Sequence, residues 1–139
     1  MFTEWRERRR YEKAVNDPAA RRQIASEVTS PYLLSMMAYS SDLPTLLGVL
    51  ENPNVTEKQV DSVACEDGFP IASAVLHHPL CSEWAIEKFA KSKDYRIRLQ
   101  VAQNAELSEA VRNILLEDRI PTIRAIASKS YFRTVQSGS

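Results

Sequence analysis

The feature that most constrains the fold of this sequence is a repeat with a period of 26 residues. Residues 25–50, 51–76 and 77–102 align without gaps, and residues 103–127 form a fourth copy that is one residue shorter. Tandem copies of this length cannot each bury a hydrophobic face alone, so they stack and share a continuous core. The sequence therefore predicts one domain built as an array of similar repeats.

Two further segments flank the four tandem repeats of residues 25–127. Residues 1–24 match the pattern weakly and are rich in charge, which is typical of a unit that caps the end of a stack. Residues 128–139 begin a partial repeat, but Arg133 replaces the capping hydroxyl there. We expect the remainder of this segment to be a frayed tail.

The first half of each repeat predicts an α-helix with a capped N-terminus. A hydroxyl side chain, which can accept a hydrogen bond from the first turn, returns at Ser30, Thr56, Ser82 and Ser108. Apolar residues follow at helical spacing. The first is Leu34, Val60 or Ile86, and the second, three residues later, is Met37, Val63 or Phe89. We expect these side chains to be buried at equivalent places.

The second half of each repeat predicts a shorter helix of about two turns, either α or partly 3₁₀. Proline, which is favoured in the first turn of a helix, returns at Pro18, Pro44, Pro70 and Pro121. An apolar pair such as Val49-Leu50 follows and marks the buried side. This pattern leaves no strand in residues 25–127, so the predicted fold class is all-α.

Composition agrees with a helical chain and limits its partners. Glycine is scarce, with 3 residues in 139, and the formal net charge is zero, so nothing global favours nucleic acid or a membrane surface. The charges are uneven, with +3 in residues 1–24, −6 in residues 25–94 and +3 in residues 95–139. No apolar run approaches the ~20 residues of a membrane span. Two cysteines make no disulfide framework, so we expect a cytoplasmic protein.

One segment of the third and fourth repeats resembles a known family. Residues 98–105 read Arg-Leu-Gln-Val-Ala-Gln-Asn-Ala and, with Val111 and Ile114-Leu115, are similar to the motif of leucine-rich repeat variant proteins. The resemblance implies α and 3₁₀ helices alternating, without a sheet, in a right-handed solenoid of about five repeats of 25–26 residues. The period is longer than usual in that family, which leaves open a fuller second α-helix, as in HEAT-like repeats.

The same resemblance bears on cofactors. Some members of the family carry an iron–sulfur cluster on a cysteine-rich N-terminal segment. This chain has no cysteine before Cys65, so that cluster is not carried over and we expect no cofactor.

A grouping of Cys65, His77, His78 and Cys81 combines ligands that suit zinc. Their spacing matches no standard zinc motif. In the repeat, His78 falls in a turn column that otherwise holds asparagine, and Cys81 falls in an apolar column. We therefore expect turn and core residues here rather than a metal site.

Basic residues in the C-terminal half offer the first candidate binding surface. Arg98 and Arg124 flank the second helices of successive repeats and, with Arg96, are expected to line one face, which we call the arginine stripe. Arginine binds carboxylates and phosphates through two parallel hydrogen bonds. A second basic group, Arg6–Arg10, is diluted by glutamates and indicates a solvated helix face.

Tyr32 and Trp84 are the second candidate, because their column also holds Lys58, and a column that tolerates lysine does not belong to a core. Exposed aromatic residues are common interface anchors; the alternative for both rings is packing against the neighbouring repeat. No catalytic motif is present, so we expect a non-enzymatic module that binds another protein, one with an acidic segment, along the solenoid surface. The alternative is a nucleic-acid-binding repeat protein that uses the arginine stripe.

Replacing Phe89 with alanine tests the repeat register. If the register is right, Phe89 is buried, and the substitution lowers the free energy of unfolding by ~3–5 kcal/mol, the usual range for a buried phenylalanine. Urea unfolding of the wild type and of Phe89→Ala measures this. A change below ~1 kcal/mol, as is usual for surface positions, would contradict the register.

Overall fold

The computed structural model describes residues 2–104, 106–129 and 131–132. Contacts within the chain group it into two units, Met1–Ser82 (unit 1) and Glu83–Ser139 (unit 2). Within the described residues, helices make up almost all of the regular structure, and none of these helices is long and apolar enough to cross a membrane. The all-α fold class predicted from the sequence is confirmed.

Unit 1 is built from three consecutive helix pairs. Its helices are α1 (Phe2–Lys13), α2 (Pro18–Glu27), α3 (Pro31–Met37), α4 (Leu43–Glu51), α5 (Glu57–Ala64) and α6 (Phe69–Leu76). The two helices of each pair pack on each other, and in addition α2 packs on α4 and α4 on α6. The second helices of successive pairs are therefore neighbours in this unit.

Unit 2 contains two further helix pairs. Its elements are α7 (Glu83–Ala90), α8 (Tyr95–Ala102), β1 (Glu106–Leu107), α9 (Glu109–Leu116), α10 (Pro121–Ser128) and β2 (Tyr131–Phe132). Helix α7 packs on α8 and α9, and α10 packs on α9 and α8. Both pairs thus follow the order of helices that the repeat predicts.

The two short strands correct the expectation that residues 25–127 contain none. Strand β1 pairs in parallel with β2, with Glu106 opposite Tyr131 and Leu107 opposite Phe132. The physical reason is that an N-cap needs extended backbone, as at Ser108 (φ −65°, ψ 158°), so the chain just before a first helix is already strand-like. The partners lie 25 residues apart, as the shortened fourth repeat predicts.

The second helices are α-helices, which decides between the two alternatives that the sequence left open. They span 8 to 10 residues, from α2 with 10 to α6, α8 and α10 with 8 each. A proline occupies the first or second position of α2, α4, α6 and α10, where its missing N–H is not needed. The structure thus has the fuller second α-helix that the long repeat period left open.

The predicted caps of the first helices are confirmed at three positions. The side chains of Ser30, Thr56 and Ser108 accept hydrogen bonds from backbone N–H groups in the first turns of α3, α5 and α9. At Thr56 the Gln59 side chain also accepts from the N-cap N–H, which completes a capping box. Ser82 directly precedes α7 and donates its hydroxyl to Asp61 at 2.6 Å.

The core follows the predicted columns. The six apolar side chains expected to be buried are all 0–6% exposed: Leu34, Val60, Ile86, Met37, Val63 and Phe89. In the shortened fourth repeat, Val111 and Leu115 are buried and Ile114 is half-buried. Each first helix therefore turns one apolar stripe inward, which is what a spacing of three residues produces on a helix.

Gly48 allows α2 and α4 to approach closely. A Cβ atom at this position would lie 2.2 Å from the carbonyl oxygen of Arg22 and 2.6 Å from Cβ of Ala25. Both distances are far below van der Waals contact, and one of the two neighbours is backbone that cannot rotate away. The packing of these two helices thus requires a residue without a side chain.

Replacing Gly48 with alanine therefore reverses the usual effect of that change in a helix. An open helical position would gain up to ~1 kcal/mol in helix propensity, whereas overpacking at Gly48 lowers the free energy of unfolding by ~1–3 kcal/mol. Urea unfolding of Gly48→Ala measures the difference, with Lys58→Ala at an exposed position of α5 as control. A gain in stability would contradict the close packing of α2 and α4.

Candidate functional site

Arg98 is buried in unit 2, so the expectation that it lies on an exposed stripe was wrong. Its side chain is 8% exposed, and that of its partner Asp118 is 5% exposed. Arg98 Nε donates to Asp118 Oδ2 at 2.7 Å, and Nη2 faces Oδ1 at 3.4 Å. A guanidinium can be buried when a carboxylate matches its planar fork and its charge.

The remaining nitrogen of Arg98 is also bonded. Nη1 donates to the carbonyl oxygens of Ser92 at 2.9 Å and of Lys93 at 3.3 Å, just after the end of α7. Arg98 itself lies four residues after Asp94, the N-cap of α8. The side chain thus connects the end of one first helix to the acidic turn of the next helix pair; we call this arrangement the arginine clamp.

Unit 1 contains the same clamp, centred on Arg21. Arg21 Nε and Nη2 donate to the two carboxylate oxygens of Asp42 at 2.9 and 3.1 Å. Its Nη1 donates to the carbonyl oxygens of Ala14 and Val15 at 3.3 and 2.7 Å. Arg21 lies four residues after Asp17, the N-cap of α2. Counted from the N-cap, its position is identical to that of Arg98.

Asp42 anchors a longer chain of hydrogen bonds in unit 1. Thr45 donates its hydroxyl to Asp42 Oδ2 at 2.6 Å, so Tyr11, whose Oη lies 2.7 Å from Thr45 Oγ1, must donate to Thr45. The hydrogen bond from Arg21 lowers the pKa of Asp42; burial opposes it, and the Thr45 hydroxyl and N–H lower it further. The net pKa lies below the ordinary value, so this carboxylate is ionised at neutral pH.

Asp118 is held in the charged form against its burial. Burial by itself raises the pKa of Asp118, but the hydrogen bonds from Arg98 and from the Ile120 N–H, and the charges of Arg98 and Arg119, outweigh it. The pKa of Asp118 is therefore lower than that of a free aspartate. The clamp is a charged pair and not a neutral one.

Arg124 is a third arginine at the same helix position, but it lies at the surface. It follows Ile120, the N-cap of α10, by four residues, and its side chain is exposed. Nη1 donates to the carbonyl oxygen of Asp118 at 2.6 Å, as the Nη1 atoms of Arg21 and Arg98 donate to carbonyls before their own helices. Among the described residues, no carboxylate lies within ion-pair distance of Arg124.

Arg96 is exposed as expected, but its charge is largely matched. Its Nη2 and Nε donate to Asp94 Oδ2 and Oδ1 at 2.7 and 3.1 Å. Of the three members of the arginine stripe, one is therefore buried, one is paired at the surface, and only Arg124 presents its guanidinium edge to solvent. Arg96, Arg98 and Arg124 therefore do not form a row of equivalent exposed cations.

The aromatic candidates lie where the sequence places them. Tyr32 is 62% exposed and Trp84 50% exposed, and the residues that share their column, Lys58 and Ala110, are exposed too. Tyr32 and Trp84 belong to α3 in unit 1 and α7 in unit 2. The prediction that this column faces outward is confirmed.

Tyr32 is part of a larger apolar surface in unit 1. Met36 is 51% exposed and follows Tyr32 by four positions, which places both along one side of α3. Tyr39, 76% exposed, lies in the turn just after the end of α3. A groove of about 320 Å³ between α1 and α3 is lined in part by Tyr11, Leu33 and Met36. We call Tyr32, Met36 and Tyr39 the α3 stripe.

His78, one of the four residues considered for zinc, has another role. The Nδ1 atom of His78 accepts from the Leu80 N–H at 3.0 Å, so Nε2 carries the proton and donates to the Leu50 carbonyl at 2.9 Å. Asn52, in the same column, donates to the carbonyls of Ala25 and Val28. In the part of the chain that the structure describes, no three His, Cys, Asp or Glu side chains are placed to hold a metal.

Comparison with known proteins adds no relative. No protein-family model matches the chain, and no match was found among curated proteins or among solved structures. The arguments on function therefore depend on the geometry of the clamps and of the exposed side chains.

Replacing Asp118 with asparagine tests the buried clamp. The change leaves the Arg98 charge without its partner and lowers the free energy of unfolding by about 3 kcal/mol, the lower end of the range for a broken buried pair. The lower end applies because a solvent-accessible groove lined by Ser92, Glu117 and Arg119 adjoins the pair. Urea unfolding at pH 7 measures the loss.

The pH dependence of the same variant gives a second measurement. Because the folded pKa of Asp118 is lowered, the pair's contribution is fully present above the unfolded aspartate pKa of about 3.9 and is lost as pH falls through the folded pKa. The stability difference between wild type and Asp118→Asn should therefore shrink below about pH 4. The control is Asp94→Asn at the exposed Arg96 pair, where asparagine still caps the helix and little change is expected. Equal effects of both variants would contradict the buried clamp.

Proposed function

We propose that this chain is a helical-repeat module that binds another protein. The observation that carries the proposal is that the same helix position presents a large exposed aromatic side chain twice, Tyr32 on α3 and Trp84 on α7. Such side chains have a high apolar area and one polar atom, and they supply most of the binding energy when a partner covers them. A role as interface anchors explains why large rings occupy an outward-facing column.

The architecture of each unit supports reading the helix pairs as stacked repeats. In unit 1 the second helices pack in succession, and the clamp at Arg21 joins one pair to the acidic turn of the next. These features fit a right-handed solenoid of about five repeats of 25–26 residues, of the leucine-rich repeat variant or HEAT-like kind. Arrays of this kind offer long surfaces rather than enclosed pockets, which suits an extended protein partner.

The α3 stripe in unit 1 is the surface that we propose for the contact. Its Met36 side chain lines the groove between α1 and α3, whose lining also includes the apolar Leu33 and Met37. An amphipathic helix with apolar residues at intervals of three and four positions can lay that face into such a groove. We infer an amphipathic helix of the partner as the occupant.

Catalysis has less support than binding. Shifted pKa values often mark active sites, but in this chain they belong to residues whose partners are structural. Asp42 and Asp118 are held by the clamps, and Asp94 caps α8 and pairs with Arg96. Each shift therefore has a complete explanation in the folding of a helix pair.

The nucleic-acid alternative also loses its basis. It relied on three exposed arginines in one stripe, but Arg98 is buried with Asp118 and Arg96 is paired with Asp94. Among the described residues, only Arg124 of the arginine stripe is left as an unpaired exposed cation, and one cation releases too few counterions for tight binding to a polyanion. We therefore do not favour this function.

The test is affinity capture from native lysate with the full chain, comparing the wild type with Tyr32→Ser/Met36→Ser. We expect at least one protein whose retention drops about tenfold or more in the variant, because truncation of an anchor costs more than 1 kcal/mol. Its dissociation constant is then measured with the purified partner.

The matched control is Val15→Ser, which removes an exposed apolar side chain of the same unit outside the α3 stripe. Retention by Val15→Ser must equal that of the wild type. If no captured protein distinguishes the variant from the control, the α3 stripe is not the contact. Retention of RNA or DNA that persists at ~0.15 M salt would instead support the nucleic-acid alternative.

A further inference from the structure

We propose that Arg124 is a docking point for a carboxylate of the partner protein, presented by an aspartate in the turn that precedes a helix. This inference deepens the proposed function and depends on it, but it concerns unit 2 and not the α3 stripe. Its basis is that the chain itself uses the same arginine position twice to hold such an aspartate, at Arg21 and at Arg98.

The three arginines share their position and their first set of hydrogen bonds. Each lies four residues after the N-cap of a second helix, which is Asp17, Asp94 or Ile120. In each case Nη1 donates to backbone carbonyls that precede that helix. At Arg124 this bond, to the Asp118 carbonyl, is 2.6 Å long. The guanidinium is therefore oriented before any partner arrives.

The second set of hydrogen bonds defines what the site recognises. In the two complete clamps the Nε and Nη2 atoms bind both oxygens of one carboxylate, 21 residues later for Arg21 and 20 residues later for Arg98. Asp42 is itself the N-cap of α4, and Asp118 lies two residues before the N-cap of α10. An aspartate at the start of a helix is thus the group that this geometry accepts.

The charge of the sequence beyond Asp118 favours an acidic occupant. Residues 119–139 contain four basic residues, Arg119, Arg124, Lys129 and Arg133, and no aspartate or glutamate. The positive charge also attracts an acidic segment and speeds its association.

A second copy of this chain is the less favoured occupant. It would offer Asp17, which caps α2 as Asp42 caps α4. The segment around Asp17, residues 1–24, carries a net charge of +3, as does the segment that contains Arg124, residues 95–139. Two ends of the same sign repel each other, whereas an acidic partner protein is attracted.

Orientation of the guanidinium makes the proposed contact stronger than a surface ion pair. An exposed pair between two flexible side chains gains little, because both must be ordered. Arg124 is already held at Nη1, so less side-chain entropy is lost when Nε and Nη2 bind. Binding through both oxygens adds a geometric requirement that a lysine cannot meet.

The test is an NMR titration of the full ¹⁵N-labelled chain with a peptide of residues 38–51, which carries Asp42 and so reproduces the turn that Arg21 holds. We expect the Arg124 Nε–H resonance to move toward the resonance of Arg98, whose carboxylate is already bound. A peptide with asparagine in place of Asp42 should leave Arg124 unchanged. The Arg98 resonance also reports that the protein is folded.

Two variants separate a clamp from simple charge attraction. Arg124→Lys keeps the charge but loses the bidentate geometry, and we expect the peptide affinity to fall about tenfold or more. Arg119→Gln removes one exposed charge nearby and should leave the affinity within about threefold. If Arg119→Gln weakens binding as much as Arg124→Lys, the contact is nonspecific attraction and the proposal is wrong.

Other outcomes also decide the matter. No shift of Arg124 at any peptide concentration, or equal shifts with the asparagine peptide, would overturn the proposal. Self-association of the wild type in sedimentation that is lost in Asp17→Asn would assign the site to a second copy instead. If Arg124 binds the peptide but Tyr32→Ser/Met36→Ser captures the same proteins as the wild type, the docking point stands and the proposed α3 contact fails.

Discussion

A guanidinium that leaves water must keep each of its nitrogens bonded and its charge matched, and this requirement organises both units. Arg98 satisfies it with one carboxylate and two backbone carbonyls. These acceptors come from the end of α7 and from the turn before α10, so the arginine can be buried only if both are in place. Arg21 imposes the same condition in unit 1, where its carboxylate also caps α4. The clamps therefore set where one helix pair meets the next.

Two further polar side chains, the buried Asn52 and the half-buried His78, also tie a turn to the preceding helix pair. Asn52, 2% exposed, donates to two carbonyls at the end of α2, and His78 donates to the carbonyl of Leu50 in α4. Carbonyls at helix ends have no partner within their own helix. A donor in the next turn satisfies them, and that need fixes the spacing between successive pairs. The exposed side chains of the α3 stripe, by contrast, take no part in these bonds.

The sequence could predict that Tyr32 in α3 is exposed, but it could not predict that Arg98 is buried. Tyr32 shares its column with a lysine, and a lysine excludes a core position, so exposure follows from the pattern alone. The column of Arg98 holds Leu46 and Ala72, which fits either a buried or a half-exposed site. A buried arginine depends on an aspartate 20 residues away, and no local pattern encodes that distance. The equivalence with Arg21 was hidden as well, because it holds when positions are counted from the N-cap and not from the repeat period.

The sequence by itself determined the order of helices, their capped N-termini and the six buried apolar positions, because these depend on contacts within one turn of helix or on a strict period. Tertiary structure decided three further points. Second helices became full α-helices, since eight or more residues allow regular hydrogen bonding and packing on a neighbouring helix stabilises them. The extended segment before the N-cap Ser108 paired as β1 with β2, because the stagger of 25 residues brings the two extended backbones side by side. Finally, an arginine of this position is buried where a carboxylate from the next helix pair reaches it. Whether the carboxylate reaches it depends on how the helix pairs pack and not on any single segment.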